Sequence, residues 1–322
     1  MAEFKIKSTT EGGLLAAITV IMGLIAVYMP ILGTIATLLW PMPIIILVVR
    51  HGLKSGVISI IAATIIMAAL ISPLNAIHLV ATFGPPSLAL GYGFQKNWPA
   101  AKILLTGFGA AILGVAVSSV LLLAISGINP FDMETQVGAM EEVLQEAISM
   151  YETMGMSPEQ LAQLQEQFTM IFKLMGMLMP LAVISAGLLT TWINFAAGGK
   201  VLRRLGYQVA SLPPFDEWRL PKLLLYVFGF SLVGLYWGSS RSIDWLYQLS
   251  LNANLLATFG GFLQGIAVLS NLLRERVSRF VFWLILIFIF FNGTFSQILA
   301  FIGLFDMIFD YRKRFQKRKD TL

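Results

Sequence analysis

Residues 102–126 read KILLTGFGAAILGVAVSSVLLLAIS, and residues 132–169 read DMETQVGAMEEVLQEAISMYETMGMSPEQLAQLQEQFT. The first string carries one charge, at its first position, and is long enough to cross a bilayer, which takes roughly 20 apolar residues. The second carries eight acids, from Asp132 to Glu166, while no Lys or Arg lies between Lys102 and Lys173. A membrane-crossing segment followed by an acidic insertion without cations predicts a helix that leaves the membrane on the side opposite the basic residues.

The rest of the chain repeats the pattern. Apolar runs at 14–29, 31–49, 57–71 and 170–197 reach or approach spanning length, and mean hydropathy is +0.80 with 12% charged residues. Soluble domains carry roughly twice that charge fraction. The runs are continuously apolar, without the period-2 alternation of a membrane β-barrel. The expected fold is all-α, a polytopic transmembrane helix bundle of about 8–10 membrane segments with an extracytoplasmic helical hairpin. The segments are read at roughly 13–29, 33–49, 55–71, 75–94, 102–126, 170–198, 221–239, 245–272, 279–291 and 295–310.

Charge predicts orientation. With the N-terminus inside, 20 of the 22 Lys and Arg residues fall on one side; Lys173 and Arg241 are the exceptions. The expected topology is multi-pass, with both termini cytoplasmic. The expected organisation is a six-helix unit over 1–200 including the acidic hairpin 132–169, a cytoplasmic loop 201–220, membrane helices over 221–311 and a basic tail 312–322. Keeping that tail inside requires the apolar stretch 280–309 to turn at Asn292-Gly293, residues that tolerate positive φ.

Within the hairpin, Val137, Met140, Leu144, Ala147 and Tyr151 repeat at helical spacing. Gly155 stops that helix, and Ser157-Pro158-Glu159-Gln160 restarts one with a capping box. Leu161, Leu164 and Phe168 carry its apolar face. The hairpin is either a cap over a pocket or a solvated connector.

Small residues at Ala16, Thr19, Gly23 and Ala26 line the first helix, and Gly107, Ala111, Gly114 and Ser118 line the fifth. Such faces let helices approach closely in lipid; on the first helix they serve internal packing or the docking of a partner. Trp40-Pro41-Met42-Pro43 interrupts the second run, as a simple kink or as a broken helix beside a binding feature. Trp40, Asn75, His78 and Asn194 are the candidate substrate-binding residues. His51 belongs to a basic turn at solvent or headgroups. Asn252, Asn254, Gln264, Asn271, Asn292 and Gln297 read as interhelical amides or ligand contacts, with Ala257, Gly260, Gln264, Ala267 and Asn271 on one inward face. Asp306 reads as headgroup-level pairing with the basic tail, and Asp310 as a partner of Arg314.

The chain has no Cys, which excludes disulfides and thiolate sites. No phosphate-binding loop, zinc-protease motif or nucleophile elbow is present; Gly198-Gly199-Lys200-Val201 is not a P-loop. No catalytic residues, metal or cofactor are expected, and the chain reads as a non-enzyme. The net charge of +5 belongs to orientation and headgroups rather than to nucleic acid.

Thr10-Glu11-Gly12-Gly13-Leu14, Trp40-Pro41-Met42-Pro43, Arg50-His51-Gly52-Leu53-Lys54-Ser55-Gly56, Gly303-Leu304-Phe305-Asp306 and Phe309-Asp310-Tyr311-Arg312 together resemble the YybS-like family of bacterial membrane proteins. That family in turn resembles the S components of energy-coupling-factor transporters. The resemblance implies a subunit whose first six helices bind a small molecule and which depends on partner ATPase and coupling proteins. The same broad group resembles MreD-like proteins, which implies the alternative of a non-transporting scaffold in an envelope assembly.

Overall fold

The computed structural model describes residues 2–127, 133–274 and 276–313. The expectations for Asp132, for the tail beyond Lys313, and for the side chains of Lys5, Lys7, Val137 and Met140 lie outside the described residues. Among those described, twelve α-helices and one short 3-10 turn account for the secondary structure, and no strand occurs. The chain divides into two compact units, Met1–Ser211 and Leu212–Leu322.

In the first unit, α1 (Ala2–Tyr28), α2 (Pro30–Leu39), α3 (Pro41–His51), α4 (Leu53–Leu70), α5 (Pro73–Gln95) and α6 (Ala100–Ser126) are followed by α7 (Met133–Thr153) and α8 (Pro158–Arg204). Helix α8 has 47 residues, about 70 Å at 1.5 Å per residue, so the hairpin's second helix runs into the expected 170–198 span without a break. The connection from α7 has the chemistry read from the sequence. Gly155 takes φ +87°, Pro158 opens α8, and Ser157 and Gln160 form a reciprocal capping box. Leu144 and Leu161 are buried, while Tyr151 and Phe168 are exposed. Ser157→Ala should cost about 1 kcal/mol locally, read as faster hydrogen exchange at the Gln160 and Leu161 amides; unchanged protection there would dispose of the cap.

Tryptophan 40 separates α2 from α3. Pro41 and Pro43 bring no N–H, so the carbonyls of Thr37 and Leu39 lose their helical donors. Thr37 accepts a tighter bond from the Trp40 amide, 3.3 Å. The Trp40 side chain is fully buried, in a cluster with Val20, Ala63, Met67, Ala76 and Leu79.

The small faces turn inward. Gly107, Ala111, Gly114 and Ser118 are all buried on α6. A Cβ at Gly114 would lie 2.5 Å from the Thr82 carbonyl oxygen of α5. On α1, Ala16, Thr19 and Gly23 are buried, and a Cβ at Gly23 would fall on the Met67 sulfur of α4. Ala26 is half-buried, its carbonyl against Gly33.

The second unit holds a 3-10 turn (Phe215–Glu217), α9 (Leu223–Ser240), α10 (Asp244–Leu273), α11 (Arg279–Phe291) and α12 (Gly293–Phe309). Helix α10 is the centre: Ala257, Gly260, Gly261, Gln264, Gly265, Ala267 and Val268 are buried along it. The expected face is present, widened by Gly261, Gly265 and Val268; Asn271 is only half-buried. The apolar end of the chain bends by 107° between α11 and α12. The break falls where expected, by a different mechanism. Asn292 is extended (φ −112°, ψ 104°) and its side chain caps α12 by accepting from Phe295 N, so the turn rests on an N-cap rather than on positive φ.

Among the described residues, seven helical stretches, with α2 and α3 taken together as Pro30–His51, or eight if the bent pair counts as one span, are long and apolar enough to cross a membrane. These spans agree with the expected polytopic helical bundle. The pair 279–291 and 295–310 makes at most one span, because its arms are about 20 and 26 Å long. Helix α5, the expected 75–94 segment, is long enough to cross and is less apolar than those seven, with His78, two internal prolines and three glycines.

Candidate functional site

Two polar clusters, one in each unit, gather the residues of the sequence motifs. In the first unit, Glu11 on α1 meets the end of α3. Its carboxylate lies 2.9 Å from Arg50 Nη2 and 2.5 Å from His51 Nε2. Ser59 on α4 donates to the Gly12 carbonyl at 3.4 Å. The Thr10-Glu11-Gly12-Gly13 and Arg50-His51-Gly52 segments are therefore one junction. Gly52 takes φ +88° there, a conformation that L side chains rarely adopt. His51, expected at solvent or headgroups, has a side chain only 12% exposed and pairs with Glu11.

The four candidate binding residues do not form one site. Asn194 is buried on α8, and its Nδ2 donates to the Leu38 and Thr190 carbonyls, both at 2.8 Å. It thus reaches the same helix break that Trp40 occupies. Trp40 Nε1 and Asn194 Oδ1 are buried without a hydrogen-bond partner. His78 Nδ1 lies 2.7 Å from the Ser118 hydroxyl of α6, and the residue as a whole is exposed. Asn75 is exposed, and its backbone N–H donates to the Ser72 cap of α5. The four residues expected to dock a partner are also placed: Ala16, Thr19 and Gly23 are occupied inside the unit and leave no open small-residue face at those positions.

In the second unit the polar cluster is buried. Asp306 on α12 accepts from Gln264 Nε2 at 2.8 Å, from Arg312 Nη2 at 3.1 Å and from the Tyr311 amide at 2.9 Å. The Asp306 and Arg312 side chains are 1% and 5% exposed. Arg312 also donates to the carbonyls of Asp216 and Trp218, each at 2.8 Å. Gln264 accepts from the Leu220 amide at 3.0 Å, and Asp216 pairs with Arg274 at 2.8 Å. The segment 216–220 is thereby tied to α10 and to the end of α12. This corrects the headgroup-level reading of Asp306. Asp310 pairs with Arg219 at 2.7 Å and Lys313 at 3.4 Å. Partial desolvation pushes the Asp310 carboxyl upward, but its bonds and charge pairing with Arg219 and Lys313 outweigh that and hold it below the usual carboxylate value. Sequence reasoning missed Asp216 and the role of Arg312. The one available signal was Asp306 itself, an acid in an apolar helix.

The amides serve structure. Asn254 bonds Ser231 across α9 and α10 at 3.0 Å, and Asn252 bonds the Gln248 carbonyl at 2.7 Å. Two hollows lie away from α1–α6. One, of about 10 Å³, is lined by Phe228, Thr258, Gln297, Ala300, Phe301 and Leu304. The other is a wide-open groove of about 500 Å³ along α8, lined by residues from Ala162 to Lys173. Among the described residues, no cluster of three His, Asp or Glu side chains could hold a metal.

The family described as "Predicted membrane protein (DUF2232)" matches residues 17–307. The chain belongs to this family. It is also 23% identical over 312 residues to "Uncharacterized protein YybS" of Bacillus subtilis (strain 168), covering 96% of this chain and 98% of that protein. No solved structure matches. The family and the apolar helices make the protein an integral membrane protein, and the YybS resemblance read from the motifs holds along nearly the whole chain.

Proposed function

We propose that the chain is a structural membrane subunit of a bacterial envelope assembly, holding partner proteins rather than binding and moving a solute or catalysing a reaction. The observation that carries this reading is the filled interior of α1–α6. Trp40, Ile44, Ile45, Leu47, Val48, Ala63, Met67, Leu90 and Ile103 are all 0% exposed, in the region where an S component would need a ligand-sized polar cavity. The distribution of basic residues supports an inner-membrane orientation with both termini on the cytoplasmic side.

A second reading, the S-component-like subunit with ATPase and coupling partners, has one observation in its favour. Trp40 Nε1 and Asn194 Oδ1 are buried and unpaired at the same helix break, and such atoms are costly in a lipid-surrounded fold. A small polar ligand would satisfy them.

The readings separate in one preparation. The protein is purified in mild detergent, its small-molecule content is measured by mass spectrometry, and cross-linked partners are identified. Envelope proteins recovered without a retained solute are the expected result. A stoichiometric solute lost in Asn194→Leu, together with an ATPase partner, would overturn the scaffold reading.

A further inference from the structure

Three segments of the first unit meet at one end. Gln95, at the end of α5, has its amide 3.7 Å from the Cβ position of Gly52, at the α3–α4 turn. Phe94 stacks on Phe195 of α8 at 5.3 Å between centroids, 18° from parallel, and borders Gly198. Together these contacts place Lys54, Lys96, Lys102, Lys200, Arg203 and Arg204 on one surface. All six are exposed, and among the described residues none forms an ion pair. The described acid at this end, Glu11, is taken by Arg50 and His51.

Two of these cations are held against aromatic rings. Lys102 Nζ lies 4.0 Å from the Trp98 ring centroid and Lys96 Nζ 5.6 Å from that of Tyr92. Tyr92 and Trp98 meet edge to face at 5.5 Å. Helices α6 and α8 leave this surface with outward apolar side chains such as Leu105 and Trp192. Amphipathic rings at the end of an apolar helix belong at the boundary between hydrocarbon and headgroups, and that depth carries the cations with it.

We propose that this surface binds anionic phospholipid headgroups, with Lys96 and Lys102 over Tyr92 and Trp98 as its most ordered site and Lys200, Arg203 and Arg204 as its flank. A lipid satisfies both components at once: phosphate for the ammoniums, and acyl chains along the apolar sides of α6 and α8. Lysine acts as a point charge toward phosphate, so arginine can replace it and glutamine cannot.

The test is native mass spectrometry of the full chain in detergent, titrated with phosphatidylglycerol or with phosphatidylcholine of the same acyl chains. Retention of phosphatidylglycerol should exceed that of phosphatidylcholine by at least about tenfold, a factor expected for several cations acting together on one anionic surface. Lys96→Gln/Lys102→Gln should lose at least one bound copy, and Lys96→Arg/Lys102→Arg should keep it. Equal retention of the two lipids, or an unchanged copy number in the glutamine variant, overturns the proposal. So does displacement of the lipid by millimolar glycerol phosphate, which would make this a site for soluble anions, or by polyglutamate, which would make it a site for acidic protein.

Discussion

Arg312→Met is expected to destabilise the second unit by about 3–5 kcal/mol, the usual cost of removing one partner from a buried ion pair. The substitution keeps side-chain bulk but withdraws the charge that faces Asp306. That carboxylate, 1% exposed, keeps only Gln264 and the Tyr311 amide as donors. The carbonyls of Asp216 and Trp218 lose their donors as well, so the loss is distributed over the 216–220 segment. The double variant Asp306→Leu/Arg312→Met should recover part of the stability, because the uncompensated charge is gone. Recovery stays incomplete, since Gln264 Nε2 and the Tyr311 amide then lose their acceptor and the two carbonyls still lack a donor. The measurement is thermal or denaturant unfolding in detergent, with a reporter in the second unit. A single variant within about 0.5 kcal/mol of the parent, the ordinary range for surface changes, would show that the pair contributes little.

Much of this fold is local in origin, and those parts were legible. The spanning helices follow from run length, the start of α8 from Ser157-Pro158-Glu159-Gln160, and the α2–α3 break from two prolines two residues apart. The buried faces of α6 and α10 follow from small residues at helical spacing. Each needs no knowledge of what lies opposite. The polar clusters were not legible for the complementary reason. Glu11 and His51 are 40 residues apart, and Arg312 is 96 from the carbonyl of Asp216 that it binds. Periodicity says which face of a helix is inward, not which residue it meets. Asp306 illustrates the difference: its proximity to the tail suggested water or headgroups, whereas a turn after Phe309 folds Arg312 back against it. Asp310, in the left-handed region at φ 46°, makes that reversal. Asn292 was located correctly and for an incomplete reason, because a side-chain cap and a positive-φ turn draw on the same residue types.

The candidate binding residues show the same limit. Trp40 and Asn194 do meet at one helix break, joined through the Leu38 carbonyl. His78 and Asn75 share helix α5, yet one bonds α6 and the other belongs to an N-terminal cap. A polar residue in an apolar run signals that some partner exists. In this chain most of those partners are other parts of the protein, which is why the same residues support a packed subunit better than an open pocket.

Gly303→Ala should be among the most damaging single-methyl additions, costing more than about 3 kcal/mol, above the usual overpacking range. Helices α10 and α12 cross through Gly261, Gly265 and Gly303. A Cβ at Gly303 would fall on the Gly261 carbonyl oxygen and the Gly265 backbone nitrogen. Backbone cannot rotate away as a side chain can, so the helices must separate. Separation also lengthens the Gln264–Asp306 bond, now 2.8 Å, because Gln264 adjoins Gly265 and Asp306 follows Gly303 by one turn. Close glycine packing and the buried polar cluster are therefore coupled. Gly303→Ala combined with Arg312→Met should cost less than the two single variants added together. Gly229→Ala, on α9 with nothing within 4 Å of its Cβ position, is the control and should stay within about 1 kcal/mol of the parent. Unfolding measured in detergent on the parent and the four variants decides the matter: strict additivity would separate the helix crossing from the ion pair, and a tolerated alanine at Gly303 would mean that the two helices do not meet as closely as described.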